Sequence, residues 1–195
     1  MRPHVILRAA AIAVCTLTIP VAQADAAVLE KRLHVRVGDR ATVIGSARPG
    51  VATLEIRRRG RWRTVARDRV MASGRYILRD RVRRPMSVLV RARVNGVTRP
   101  LGRLNGYRRA YASWYGPGLY GNHLGCGGRL TTGTLGVAHK TLPCGTKVTI
   151  KRGDRTVRVP VVDRGPFVGG REYDLTSATA AKLGFPGLGT IQTTR

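Results

Sequence analysis

Acidic residues and long apolar runs are both scarce in this sequence. Of its 195 residues, 10 are Asp or Glu and 36 are Lys or Arg, so the formal net charge is +26. Residues 25–109 contain no cluster of Asp, Glu, His or Cys that could carry chemistry, which favours a binding or spacing role for this half over catalysis. The C-terminal half has few candidates for acid–base chemistry. They are Asp154, Asp163, Glu172 and Asp174.

The first 24 residues have the pattern of a secretion signal. Arg2 and Arg8 supply positive charge, an apolar stretch covers residues 9–21, and Ala22-Gln23-Ala24 matches the small-x-small pattern of a cleavage site. The alternative is a membrane anchor, but the stretch is shorter than the roughly 20 apolar residues that a spanning helix needs. We therefore predict a signal peptide over residues 1–24. No later run is apolar enough to span a membrane, so we expect a secreted, extracytoplasmic protein without a transmembrane segment after cleavage.

Cysteine is rare, and its placement predicts one disulfide. Cys15 lies inside the apolar part of the signal and is removed with it, which leaves Cys126 and Cys144. An even number of cysteines in an exported chain is typical of disulfide pairing. A metal site is the alternative, but two lone cysteines with scattered histidines do not match zinc spacing. We expect no metal and no cofactor.

The positive charge is concentrated in the N-terminal half. Residues 25–109 hold 23 Lys and Arg against 6 Asp and Glu, whereas residues 110–195 hold 11 against 4. Such a charge implies a polyanionic neighbourhood. Nucleic acid is the usual partner of a basic chain, but an exported protein meets anionic wall polymers or phospholipid head groups instead. We therefore predict binding to anionic wall polymers through the N-terminal half, and no nucleic-acid partner.

Residues 25–103 read as a series of short strands. Apolar and polar residues alternate over 33–37, 53–57 and 88–94, and the last of these runs into Asn95-Gly96, a strong hairpin signal. Strands at intervals of about ten residues, separated by turn signals, are typical of a small β-sandwich. This pattern predicts a basic, Ig-like β-sandwich over residues 25–103.

The chain changes character after a stretch without a clear period. Residues 102–109 carry turn formers, and we predict a linker over 104–110. The C-terminal domain, residues 111–195, is rich in glycine and has short apolar runs at 147–150 and 157–162. Short strands and many glycines favour a compact β-barrel.

One short helix is expected in this otherwise all-β chain. Thr176 or Ser177 can cap it, residues 178–183 can form it, and Gly184 with Pro186 can end it. The predicted fold class is therefore all-β, with a small N-terminal sandwich, a C-terminal barrel and one helix.

Among the residues that could carry chemistry, Asp163 stands out. It ends an apolar strand, where a carboxylate is costly unless it is paired or functional. Asp174 lies just before the predicted helix, where it either serves the helix amides or acts in a site. A lone histidine such as His139 is more often structural than catalytic. Trp114 and Tyr115 could be core residues or a platform for sugar rings, and local pattern leaves both open.

Four motifs in order carry a resemblance to a known family. They are Ala-Ser-Trp-Tyr-Gly at 112–116, Gly-Val-Ala-His-Lys-Thr-Leu-Pro-Cys-Gly-Thr-Lys-Val at 136–148, Val-Asp-Arg-Gly-Pro-Phe-Val-Gly-Gly-Arg at 162–171, and Asp-Leu-Thr at 174–176. Their order and spacing resemble the rare lipoprotein A (RlpA) family over residues 110–193. The resemblance implies a six-stranded double-psi β-barrel, as in expansins.

The resemblance also implies an activity and a site. Several RlpA proteins are lytic transglycosylases, which cleave the β-1,4 bond between N-acetylmuramic acid and N-acetylglucosamine and leave 1,6-anhydro ends. Asp163 matches the family's catalytic aspartate, His139 matches a histidine implicated beside it, and Asp174 resembles an expansin aspartate by position. Trp114, Tyr115 and Arg164 are then expected to bind substrate. Peptidoglycan glycan strands would be the partner, and the protein would be associated with the cell wall.

One departure from the family pattern keeps three functions open. Many active RlpA proteins carry a glutamate after the opening motif, whereas alignment by spacing places Gly128 there. Intact Asp163 and His139 favour an enzyme. Gly128 and the basic N-terminal half favour a non-catalytic, expansin-like module that binds or loosens the wall. An inhibitor or partner-binding barrel would need no carboxylates. A Cys126–Cys144 bridge would join the loop that contains Gly128 to the segment that bears His139.

Overall fold

The computed structural model describes residues 26–195, nearly all of whose regular elements are strands. The expected signal peptide, with Cys15, lies outside the described residues. In chain order the elements are β1 (Ala26–Arg32), β2 (His34–Arg36), β3 (Arg40–Ala47), β4 (Gly50–Arg58), β5 (Arg61–Val70), β6 (Arg75–Arg81), β7 (Met86–Val94), β8 (Val97–Tyr115), β9 (Val137–His139), β10 (Lys147–Arg152), β11 (Arg155–Asp163), β12 (Tyr173–Thr176), α1 (Ser177–Leu183) and β13 (Gly189–Thr193). Between residues 26 and 195 no helix has the length and apolarity to span a membrane.

The N-terminal strands form two sheets around one core. Strands β1, β3 and β6 make a three-stranded antiparallel sheet, and β5, β4, β7 and the first half of β8 make the second, with β2 added parallel to β8. Alternate residues of each sheet point inward, so that Val43 and Tyr76 of one sheet share a core with Leu54, Ile56 and Val90 of the other. The predicted β-sandwich is confirmed. Asn95 and Gly96, both with positive φ, make the predicted hairpin turn between β7 and β8.

The C-terminal strands close into a ring of six. Their order is β8-β13-β10-β11-β9-β12, and β12 pairs again with β8, so the sheet has no free edge. Closure abolishes the unpaired edges that an open sheet exposes. The interior is filled by a second apolar cluster that includes Val137, Ile150, Tyr173, Leu175 and Ile191. The six-stranded architecture predicted for this half is confirmed.

The stretch expected to be a linker, residues 104–110, is a strand instead. It lies within β8, whose first half pairs with β7 and whose second half pairs with β13 and β12. Gly106 looked like a turn former, but it marks a close approach, because a Cβ there would lie 2.4 Å from a methyl carbon of Val82. Leu104 belongs to the first core and Ala110 to the second. One strand therefore connects the two halves.

The single helix begins and ends where the sequence indicated. Thr176 is its N-cap, and the Thr176 hydroxyl accepts from the backbone N–H of Thr179. Gly184 ends the helix in the left-handed conformation that favours glycine. Gly136 donates its N–H to the Thr176 hydroxyl at 3.2 Å, which ties the start of the helix to the segment before β9.

Candidate active site

A bulge in β11 sets the direction of Asp163. Val161 pairs with Val137 of β9, but Asp163 pairs with the next residue, Ala138, so Val162 is the extra residue. A bulge of this kind re-aims the side chains that follow it. Val161 points into the barrel core, and after the bulge Asp163 projects to the opposite face.

The register then places two carboxylates in one row across the sheet. Asp163 pairs with Ala138, Ala138 with Asp174 of β12, and Asp174 with Ser113 of β8. Paired residues project to the same face, and two strand spacings put the Asp163 and Asp174 Cα atoms about 10 Å apart. The small side chain of Ala138 lies between them. The Ser113 hydroxyl donates to Asp174 Oδ1 at 2.8 Å.

One oxygen of Asp163 is held and the other is available. Oδ1 accepts from the backbone N–H of Gly125 at 2.7 Å and from that of Arg164 at 2.8 Å. Glycine is required at 125, because a Cβ there would lie 3.0 Å from Asp163 Oδ1 and 2.9 Å from Arg164 Cγ. Asp163 Oδ2 accepts no hydrogen bond from residues 26–195. A carboxyl group fixed through one oxygen can transfer a proton through the other.

Asp174 and Tyr115, both near Asp163, have raised pKa values. Burial raises the pKa of Asp174, and the charge of Asp163 raises it further, against the opposing effects of Ser113 and Arg171. Burial also raises the pKa of Tyr115, with the charges of Asp163 and Asp174 acting in the same direction. The Tyr115 hydroxyl is buried and forms no hydrogen bond of normal distance and angle with residues 26–195. It lies close enough to Asp163 for the carboxylate to raise its pKa. It is therefore a donor without a fixed acceptor, next to the carboxylates.

The predicted disulfide between Cys126 and Cys144 is confirmed, with the two Cα atoms 5.5 Å apart. It joins the loop that carries Gly125 to the β9–β10 connection. Cys126 also donates its N–H to the Val162 carbonyl at 3.2 Å, so the loop is held against the bulge. Gly128 lies at the exposed end of this loop with φ +79°, and nothing lies within 4 Å of where its Cβ would be.

His139 lies on the other face of the sheet from Asp163. It pairs with Tyr173, and the two ring centroids are 4.9 Å apart. Its Nδ1 accepts from the backbone N–H groups of Thr141 and Leu142 at 3.1 and 3.0 Å, which places the imidazole proton on Nε2. Within residues 26–195 no hydrogen bond or ion pair joins His139 to Asp163. The structure therefore brings Asp163 and Asp174 together but does not place His139 with them.

Arg164 lies between Asp163 and His139, and its guanidinium is hydrogen-bonded to backbone carbonyls. Its Nη1 donates to the carbonyls of His139 and Leu142 at 3.1 and 2.8 Å, and its Nη2 lies 2.8 Å from Cys144 Sγ. These contacts give the guanidinium a structural role beside Asp163. Trp114, with 37% of its surface exposed, is the more accessible of the two aromatic residues expected to bind sugar.

Other residues of this region complete the surroundings of the site. Glu172, one of the four acids noted in the sequence, forms a bidentate ion pair with Arg108, one of whose bonds is 2.8 Å long. That pair lowers the pKa of Glu172 and keeps its carboxylate ionised. Ser113 could have been found, because alternation along a strand places it on the same face as Tyr115, two residues on. Gly125 could not, since its role depends on the approach of a distant strand.

His139 predicts a pH effect on stability. Burial is the main reason why the pKa of His139 is lowered from 6.5, with Arg108 and Arg164 acting in the same direction and Glu172 opposing them. The unfolded chain then binds a proton at pH values where the folded protein does not, so the free energy of unfolding falls as the pH drops below about 6.5. We expect His139→Asn, whose Oδ1 replaces Nδ1 as acceptor, to flatten this fall.

Chemical denaturation between pH 8 and pH 4 measures the effect. The pKa of His34 is also lowered by burial, but it contributes equally to both proteins and cancels in the difference. His123 is exposed, so His123→Asn is the matched control and should leave the curve unchanged. Parallel curves for wild type and His139→Asn would contradict a depressed His139 pKa.

Comparison with known proteins agrees with this architecture. Residues 108–194 match the family model described as lytic transglycolase, a double-psi β-barrel domain. Proteins named "Probable endolytic peptidoglycan transglycosylase RlpA" are 48% identical over 75 residues in Synechocystis sp. and 46% over 80 in Aquifex aeolicus. "Endolytic peptidoglycan transglycosylase RlpA" of Campylobacter jejuni is 44% identical over 81 residues. The resemblance predicted over residues 110–193 is confirmed.

These matches cover one part of each protein. They span 37, 40 and 40% of this chain and 23, 35 and 30% of the three relatives, respectively. Among solved structures, "Streptomyces papain inhibitor (SPI)" is 26% identical and covers 46% of this chain and 94% of its own, with a TM-score of 0.35.

Proposed function

We propose that this protein is an exported lytic transglycosylase of peptidoglycan, because residues 108–194 match a family model described as lytic transglycolase. It would cleave the β-1,4 bond between N-acetylmuramic acid and N-acetylglucosamine. The observation that carries the proposal is the arrangement around Asp163, whose Oδ1 is fixed by two backbone N–H groups while Oδ2 is available. Relatives over this domain bear names that state the same activity.

A single carboxyl group is sufficient for this reaction. The acid form of Asp163 would donate its proton to the glycosidic oxygen as the bond to C1 of the muramoyl residue breaks. The resulting carboxylate then accepts the proton of the muramoyl C6 hydroxyl, while O6 bonds to C1 and closes the 1,6-anhydro ring. No water is consumed, which distinguishes the reaction from hydrolysis by paired carboxylates. The Tyr115 hydroxyl would donate to the carboxylate that the first transfer leaves.

In this proposal His139 and Arg164 are positioning residues. The His139 ring accepts from two N–H groups of the turn over residues 139–142, and two carbonyls of that turn hold Arg164. The N–H of Arg164 in turn donates to Asp163. Loss of His139 would then act on Asp163 through this chain of contacts. Trp114 offers an exposed aromatic surface on which a sugar ring could stack.

Tyr115 provides a prediction that separates catalysis from stability. We expect Tyr115→Phe to lower kcat by about 10-fold or more, because a hydrogen bond to a charged group contributes roughly 1.5–3 kcal/mol. The free energy of unfolding should stay the same or rise, since the hydroxyl that is removed is buried without a partner. Steady-state kinetics and urea denaturation measure the two effects. A large loss of stability with unchanged kcat would show that the hydroxyl serves the fold.

A second candidate is a module that binds glycan without cleaving it. Gly128 favours it, because the family's glutamate is absent there and the position is an exposed turn without neighbouring side chains. In this case Asp163 and Asp174 would serve as acceptors for sugar hydroxyls. The basic N-terminal half fits this function equally well, since it would hold the module at the wall.

The nature of the products tests these candidates. Purified glycan strands, with and without stem peptides, are incubated with the protein, and their ends are identified by mass spectrometry. New 1,6-anhydro-muramoyl ends are expected. New reducing ends would indicate a hydrolase and overturn the proposed chemistry. Absence of new ends, with the protein still recovered on insoluble peptidoglycan, would favour the binding module.

A further inference from the structure

An arginine-lined groove runs along the N-terminal half, outside the candidate active site. Its main part is a cavity of about 580 Å³ bounded by the β4–β5 turn, the β6–β7 connection and the last residue described. A second cavity of about 340 Å³ shares Arg57, Ser87 and Val88 with it and extends the groove toward Arg103. The arginines of the main cavity are Arg57, Arg58, Arg59, Arg63, Arg84 and Arg195. No acidic residue lines either cavity.

The protein offsets only part of the charge of this groove, through the electrostatic interaction of Asp80 with Arg58. Within residues 26–195, no carboxylate forms an ion pair with Arg59, Arg63 or Arg84. Nearby, the guanidinium charges of Arg158 and Arg195 add to burial in lowering the pKa of Arg103. Like charges held together cost folding free energy, and a bound anion relieves that repulsion. The groove is therefore organised for a negatively charged ligand rather than for stability.

The turn that carries Arg59 supports this interpretation. Arg59 and Gly60 form the two-residue turn between β4 and β5, with φ of +50° and +78°. Asn95 and Gly96 form a turn of nearly the same conformation, with φ of +49° and +84°. Asn-Gly suits this turn, whereas arginine in the left-handed region is strained. The unfavourable residue places a guanidinium at the rim of the groove.

We propose that this groove binds a phosphodiester-linked polyol chain, as in the anionic polymers of a cell wall. Each guanidinium matches a phosphate through two parallel N–H donors, and the two joined cavities suit an extended ligand. Single-stranded nucleic acid fits less well, because grooves for it present aromatic side chains for base stacking, and no aromatic residue lines this one. The choice of a wall polymer rests on the proposed export, whereas the binding does not depend on cleavage.

Two matched triple variants of the full chain test the proposal. The groove variant changes Arg59, Arg63 and Arg84 to Gln. The control variant changes Arg67, Arg69 and Arg75 to Gln, which removes the same charge from exposed positions that line neither cavity. Binding of a labelled glycerol-phosphate hexamer is measured by fluorescence anisotropy at about 0.15 M salt, where long-range attraction is screened. The groove variant should bind about 10-fold or more weakly, and the control within about twofold of wild type.

A competitor and a single variant make the result decisive. A single-stranded oligonucleotide of equal charge should compete at least about 10-fold less effectively than the hexamer. Arg59→Asn should weaken binding while the thermal unfolding midpoint stays the same or rises, because Asn suits the turn. Equal losses in the two triple variants, equal competition by the oligonucleotide, or a lower midpoint for Arg59→Asn would overturn the proposal. None of these measurements uses peptidoglycan, so an inactive barrel would leave the outcome unchanged.

Discussion

Asp163→Asn is expected to abolish the formation of 1,6-anhydro-muramoyl ends, with a loss of about 1,000-fold or more in kcat. The amide oxygen of Asn still accepts from the N–H groups of Gly125 and Arg164, so the fold around the β11 bulge should be kept. The amide can neither donate the proton that the leaving oxygen needs nor accept the proton of the C6 hydroxyl. The expected loss is therefore chemical and not structural.

Rates of product formation and urea denaturation test this prediction together. Asp154→Asn is the matched control, because Asp154 lies in the exposed turn between β10 and β11 and should leave kcat unchanged. Asp174→Asn distinguishes the two carboxyl groups of the row. If Asp163→Asn forms product at the wild-type rate while Asp174→Asn does not, Asp174 carries the proton transfers. Wild-type rates in both variants would exclude this face of the barrel as the catalytic surface.

Removal of the disulfide is expected to cost about 3 kcal/mol in the free energy of unfolding. The bridge closes a loop of 18 residues, and the loss of chain entropy in the unfolded state accounts for this magnitude. Activity should fall as well. The bridge anchors the loop that brings the Gly125 N–H to Asp163 Oδ1, and without it the carboxyl group loses one of its two fixed donors. We expect Cys126→Ser combined with Cys144→Ser to show both effects.

Denaturation with guanidinium chloride measures the stability change, and reduced wild type serves as the control for the substitutions themselves. Reduced wild type and the double variant should unfold at the same midpoint. If the double variant unfolds at the same midpoint as oxidised wild type, the bridge does not stabilise the protein by lowering the entropy of the unfolded chain. If it loses stability but keeps full kcat, the loop does not position Asp163.

Alternation of apolar residues and local turn chemistry were sufficient to predict much of this fold. The Asn95-Gly96 hairpin and the helix between Thr176 and Gly184 depend on contacts between near neighbours in the chain. The strands of the β-sandwich were recognisable from their alternation, although β4 and β7 pair across a long stretch of sequence. The motif order was sufficient for the six-stranded barrel. The stretch at 104–110 was interpreted wrongly, because glycine indicates a turn and a close approach equally well, and only the position of Val82 distinguishes them.

The direction of the side chains at the site depended on long-range register. The local pattern identified Asp163 and Asp174 as isolated acids, and the motifs suggested His139 as their neighbour. Pairing through β9 placed the two aspartates on one face and His139 on the other. A one-residue bulge produces this result, because side chains alternate along a strand and a shift of one residue reverses the face. The sequence alone identified the candidate residues. Which of them lie side by side was determined only by the pairing of strands that are distant in the chain.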